Sequence, residues 1–164
     1  MRNEMEIVFD AIARNEALAR VAVASFVAGC NPTLEEMGDI KTAVSEAVTN
    51  SIIHGYGNLA GYTGNRRLPE GKEGFHPGKV KLHCLLERGI LHIEVSDNGK
   101  GIENVEKAME PLFTTLPELD RSGMGFAFME AFMDELEVES EPGKGTLVRM
   151  CKKMEAGDWI GETL

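Results

Sequence analysis

Glu46, Asn50 and His54 recur at four-residue intervals in a stretch that also carries Ile40, Val44, Ala47, Val48 and Ser51. At about 100° per residue these two sets fall on different faces of one helix. The apolar set is a core stripe. Thr42, Ala43, Thr49 and Ile53 surround the polar set, where a solvated face would carry Lys and Glu. The row is therefore expected to face something polar but sheltered. A plainer reading also fits the spacing: Glu46 and Asn50 as surface residues, and His54 as a complement to the helix C-terminal dipole.

Three glycine motifs follow. Asp97-Asn98-Gly99-Lys100-Gly101-Ile102 places an acid at a strand end, and two glycines would let backbone approach a ligand closely. Asn-Gly is also an ordinary turn dipeptide. Ser122-Gly123-Met124-Gly125-Phe126 opens a helix after a proline-bounded loop, where glycine N–H groups could hold phosphate. It lacks the preceding strand and third glycine of the dinucleotide fingerprint. Gly143-Lys144-Gly145-Thr146 mimics the end of a P-loop but lacks its upstream glycine and following helix, so on spacing alone it is a hairpin turn.

The elements that must position these motifs are legible from periodicity and punctuation. Residues 5–9 read as a strand, and Asn15 as the cap of a helix running to about residue 28. Thr33 and Glu36 form a capping box for the second helix, which runs to His54 and stops at Gly55. Residues 58–78 are rich in Gly and Pro and carry Arg66, Arg67 and Lys72, reading as an inserted surface loop. Residues 79–86 and 90–96 alternate as strands about a Glu87-Arg88-Gly89 turn. Residues 103–109 read as a helix, 111–122 as a loop and 123–134 as a helix. A hairpin of 136–140 and 146–152 completes the order. That order predicts one α+β domain over residues 1–153, a two-layer sandwich with helices on one face of a mixed, mostly antiparallel sheet, followed by a tail at 154–164.

Composition limits the function classes. The 164 residues carry 17 Lys plus Arg against 27 Asp plus Glu, a net charge of −10. No broad basic surface is available for nucleic acid or an anionic membrane. Cys30, Cys84 and Cys151 are far apart, which fits a reducing cytoplasm better than a disulfide scaffold or zinc cluster. Val27-Ala28-Gly29-Cys30 resembles a lipoprotein cleavage site, but the three arginines before it are outnumbered by Glu4, Glu6, Asp10 and Glu16. A signal peptide needs a positive start, and no run reaches the length of a transmembrane helix.

Taken in order, a helix with E-x-x-x-N, a strand with D-x-G-x-G, a loop with G-x-G and a hairpin with G-x-G-T resemble the GHKL ATPase superfamily. Ser45-Glu46-Ala47-Val48-Thr49-Asn50-Ser51-Ile52-Ile53-His54-Gly55-Tyr56 is similar to its anti-sigma serine kinases. The opening Met1-Arg2-Asn3-Glu4-Met5, Phe26-Val27-Ala28, and the segment from Pro111 through Thr114, Thr115 and Ser122 to Phe126 most resemble the sporulation anti-sigma-F family. The resemblance spans about residues 1–152 and implies a Bergerat-type fold.

It also implies roles. Glu46 matches the catalytic base and Asn50 a Mg²⁺ ligand. Asp97 matches the adenine-binding acid, supported by Gly99, Gly101, Ile102 and Thr146. Thr114, Thr115, Ser122, Gly123, Met124, Gly125 and Phe126 match a lid over the ATP phosphates. Arg20, Asp120 and Arg121 match partner-contact positions, Asp120 standing where Glu is usual. The implied protein is a cytoplasmic homodimer that uses ATP and Mg²⁺, holds sigma F, and phosphorylates a serine of an anti-anti-sigma factor. Two alternatives are a general-stress anti-sigma-B kinase and a nucleotide-binding module without kinase activity. The segment 58–78 is longer than the family leads one to expect.

Overall fold

Strict alternation in two strands builds the centre of the sheet's inner face. Val80, Leu82, Cys84 and Leu86 of β2 (Lys79–Glu87) and Leu91, Ile93 and Val95 of β3 (Ile90–Asp97) are buried, while their neighbours point outward. The computed structural model describes residues 2–57, 77–112 and 123–154. Within them β1 (Arg2–Asp10), β2, β3, β4 (Glu135–Glu141) and β5 (Gly145–Lys153) form one sheet in the order β1-β2-β3-β5-β4. All four described pairings are antiparallel.

Register stacks the inner residues into rows. Leu82, Val95 and Val148 share one row, and Cys84, Ile93 and Met150 the next. These rows join one core with the buried stripe Ile40, Val44, Ala47 and Val48 of α2 (Leu34–Asn50) and with Ala19, Val23 and Val27 of α1 (Arg14–Ala28). The α2 helix packs between α1 and α4 (Gly125–Phe132), and the short α3 (Val105–Ala108) follows β3. Each wholly buried Val, Leu or Ile contributes about 1.5–3 kcal/mol relative to exposure, so this face is the main source of stability.

The expected capping box is formed: Thr33 Oγ1 accepts from the Glu36 N–H at 3.1 Å, and Glu36 Oε2 from the Thr33 N–H at 2.7 Å. Three expectations need correction. Asn15 does not cap α1; its amide donates to the Asp10 carbonyl at 2.8 Å, and α1 begins at Arg14 behind Ala13. The second helix does not run to His54 as α-helix. It ends at Asn50 and passes into a π-turn over Ser51–Gly55, closed by the Tyr56 N–H on the Ser51 carbonyl at 3.2 Å. The helix read from residue 123 begins at Gly125, because Gly123 takes a φ of +61° outside the helical region. The segment read as an inserted loop lies, apart from Pro77 and Gly78, outside the described residues, as does the tail beyond residue 154. Among the described residues no helix is long and apolar enough to cross a membrane.

Candidate functional site

The β3–β5 register brings two of the separated motifs together. Asp97, the last residue of β3, lies directly opposite Thr146 in β5, in the inner row that runs from Phe9 through Val80. The other buried positions of β2 and β3 are all apolar, so Asp97 is a buried acid at the end of β3, 7% exposed. Its carboxyl accepts from the Gly99 N–H at 2.9 Å, and from the Ser51 hydroxyl and the Thr146 main-chain N–H. Burial raises its pKa above the usual carboxylate value, and the three donors oppose that rise.

Asp97 forms part of the wall of a cleft of about 660 Å³, which Asn50, His54, Gly101, Phe126 and Thr146 also line. That volume suits a nucleotide-sized ligand. Ile102, Gly123 and Gly125 also line the cleft. The E-x-x-x-N row meets it at the start of α4. A β-carbon at Gly125 would come within 3.0 Å of Glu46 Oε2 and 3.4 Å of Asn50 Nδ2. Residue 125 as glycine lets the carboxylate, the amide and the helix start approach this closely in one cradle; a larger residue would have to push the Glu46 side chain aside. Met124 is the N-cap of α4, and its side chain makes no capping bond. First-turn amides there favour an anion.

The same cradle fits Mg²⁺. Asn50 supplies a hard amide oxygen and Glu46 a carboxylate close by. Among the described residues no three His, Cys, Asp or Glu side chains cluster as a metal cage. A small cation that keeps its waters and shares phosphate oxygens needs one or two protein donors rather than a cage.

Gly101 has a second role that the sequence reading did not contain. It lines the cleft, but with φ +73° a β-carbon there would lie 2.2 Å from the Glu141 carbonyl oxygen. The Asp97–Ile102 turn is thus docked on the β4–β5 hairpin as well as lining the cleft. Ser140 completes that docking: its Oγ accepts from the Ile102 N–H at 2.8 Å, donates to the Gly145 carbonyl at 2.9 Å and contacts Thr146 Oγ1 at 2.8 Å. Ser140 and Ser51 were both missed. A serine in a strand and a serine in an apolar stripe carry no local signal of such contacts.

Arg20 lies on α1, away from the cleft lining, with its Nε 3.5 Å from Glu16 Oε1. Glu16 in turn accepts from Ser45 Oγ beside Glu46. Exposed Leu18 and Val21 flank Arg20, giving α1 an apolar outer face as well as its buried one. Thr114, Thr115, Asp120, Arg121 and Ser122 lie outside the described residues.

Comparison with known proteins agrees with this geometry. Residues 9–152 match the histidine kinase-like ATPase domain family. An anti-sigma F factor of Clostridium botulinum (strain Eklund 17B / Type B) is 54% identical over 151 residues, covering 92% of this chain and 94% of the relative. An anti-sigma F factor of Geobacillus sp. (strain WCH70) is 50% identical over 152 residues, covering 93% of both. Among solved structures, the RsbU and RsbW domains of Rv1364c from Mycobacterium tuberculosis share the fold, with a TM-score of 0.61 at 18% identity. That match covers 94% of this chain and 32% of the other. The buried acid, the glycine-lined cleft and the E-x-x-x-N helix therefore sit in a chain that belongs to the histidine kinase-like ATPase domains and, among them, to the anti-sigma F factor family.

Proposed function

We propose that this protein binds ATP with Mg²⁺, sequesters sigma F, and transfers the γ-phosphoryl group to a serine of an anti-anti-sigma factor. The observation that carries the catalytic part is the placement of Glu46 and Asn50. They stand one turn apart on α2, with the start of α4 against both and the Asp97 cleft alongside. Phosphoryl transfer needs a positioned acceptor, neutralised phosphate charge and a group to orient or take the hydroxyl proton. Asp97 would accept from the adenine amine. Asn50 would help to hold the cation, which neutralises phosphate charge when bound. The amides at the start of α4 would meet phosphate oxygens, and Glu46 would take the serine proton.

The sigma-binding part rests on the anti-sigma F relatives, at about half identity over most of the chain. The exposed Leu18–Val21 face with Arg20 is a surface suited to such a partner. Homodimer formation and a cytoplasmic setting belong to the same reading.

The test is Glu46→Gln in the full chain. The change is isosteric, so ATP binding should persist, while phosphate transfer to the partner falls by about 100- to 10,000-fold, the usual contribution of a general base. Transfer at the wild-type rate would remove Glu46 from that role. Sequestration of sigma F without any transfer by the wild-type chain would favour a binding module over a kinase.

A further inference from the structure

Tyr56 is the residue just past the π-turn, and it is absent from the cleft lining. Its hydroxyl nevertheless makes two main-chain bonds. It donates to the Lys79 carbonyl at 2.7 Å and accepts from the Asn98 N–H at 2.8 Å. Lys79 opens β2 and Asn98 is the first residue beyond β3, so the phenol ties a strand end to the start of the Asp97–Ile102 turn.

The half-buried ring packs directly against the Gly78 backbone. A β-carbon at Gly78 would lie 2.4 Å from Tyr56 Cε1, so this backbone passes the ring only as glycine. A phenylalanine would fill the same space, so packing alone does not account for the hydroxyl. Its two main-chain bonds account for it.

Those bonds act on the peptide that carries Asp97. The amide joining Asp97 to Asn98 is held at its carbonyl side by Gly145, where a β-carbon would overlap the Asp97 oxygen. Tyr56 holds the same peptide at its N–H side. One residue further on, Gly99 rests against the Gly55 carbonyl, where a β-carbon would come within 2.3 Å, and the Lys100 N–H donates to that carbonyl at 2.9 Å. The Asp97 carboxyl sits between these two tethers, with its Oδ1 3.0 Å from where a Gly55 β-carbon would lie.

We propose that Tyr56 is a positioning residue for purine recognition: by gripping the Asp97–Asn98 peptide it aims the Asp97 carboxyl, and so sets both ATP affinity and the preference for adenine over guanine. The proposal rests on the reading of the cleft as an ATP site. A carboxyl accepts from adenine's exocyclic amine and meets a carbonyl oxygen on guanine. Discrimination of that kind depends on where the carboxyl is held. Loss of the phenol hydroxyl loosens the peptide at its N–H side and blunts the difference.

Tyr56→Phe and Tyr56→Ala, in the full chain, test this. Binding of ATP and of GTP is measured by displacement of a fluorescent ATP analogue, beside thermal melting. In Tyr56→Phe the ring site stays filled, so melting should fall only by the loss of the two phenol hydrogen bonds, well short of the fall in Tyr56→Ala. The ATP Kd should rise about five- to tenfold, the range set by one or two net hydrogen bonds. The GTP Kd should move less, so the ATP/GTP ratio narrows. Maximal phosphate transfer at saturating ATP should be unchanged, with the loss confined to KM. A Tyr56→Phe chain with the wild-type Kd and ratio overturns the proposal. So do equal losses for ATP and GTP that track a lower melting temperature, and an effect seen only in Tyr56→Ala. A wild-type chain that binds neither nucleotide fails the ATP reading itself, and takes the proposal with it.

Discussion

At the scale of single residues, Asp97 shows how burial sets chemistry. An acid among apolar neighbours keeps its charge only at a cost, which the Gly99 and Thr146 amides and the Ser51 hydroxyl reduce. Its folded pKa lies above the unfolded value of about 3.8. The protonated form is therefore favoured by folding. The associated stability is fully present below that value and is lost as pH rises through the folded pKa. Asp97→Asn removes the titration. Measured by urea unfolding, the variant should gain on wild type as pH rises through the acid range, and the difference should level off near neutrality. A pH-independent difference would mean that burial does not perturb Asp97. The same variant should lose at least about tenfold in ATP affinity, because a charged acceptor is exchanged for a neutral amide. The acid and its glycines were legible as a motif. Ser51 was not, since its neighbours Val48 and Ile52 place it in a core stripe until the turn is seen above it.

At the scale of elements, α2 was the most legible. Its capping box and apolar stripe are local features, and both formed as the spacing required. Its end was not legible. So short a stretch does not distinguish an α-helical period from a π-turn, and the Gly55 that ends it docks against the distant Asp97–Ile102 turn. The α1 helix had the opposite problem. Ala19, Val23 and Val27 face inward, yet Leu18 and Val21 face outward at 51% and 61% exposure, so its amphipathic signal is weak. Exposed apolar side chains beside an arginine suit a partner surface. Arg20→Glu should reverse charge there and weaken sigma F binding about tenfold or more in pull-down titrations. ATP binding should be unchanged, because Arg20 is outside the cleft lining. Partner affinity equal to wild type would exclude α1 from that interface.

At the scale of the molecule, the two faces of the sheet divide the work. The inner face holds the core and the cleft. The outer face carries a charge ladder in which Glu6, His83, Glu94, Arg149 and Glu137 lie in one cross-strand row. Arg149 contacts Glu94, Glu137 and Glu139 at once, and its hydrogen bonds to Glu139 and Glu137 hold its pKa above the usual value. In a chain of net charge −10 it offsets repulsion between strands β3 and β4. Arg149→Gln should lower the melting temperature at low ionic strength and recover most of the loss in about 0.5 M salt, which screens exposed carboxylates. A loss independent of salt would assign Arg149 a packing role instead. Acidity across the molecule is compatible with an anionic ligand, since the cleft is bordered by the start of α4, whose first-turn amides favour an anion whatever the net charge.

The sequence by itself determined what local chemistry can encode: strand alternation, the Thr33–Glu36 cap, the α2 stripe and the order of the glycine motifs. Each depends on residues a few positions apart, where periodicity and backbone geometry leave few choices. Only the tertiary structure decided which motifs meet. The Asp97–Thr146 pairing, the Gly125 cradle for Glu46 and Asn50, and the Tyr56 grip on the Asn98 amide join residues 42 or more positions apart. Those contacts follow from strand order and register, and a sheet in another order would place the same motifs apart.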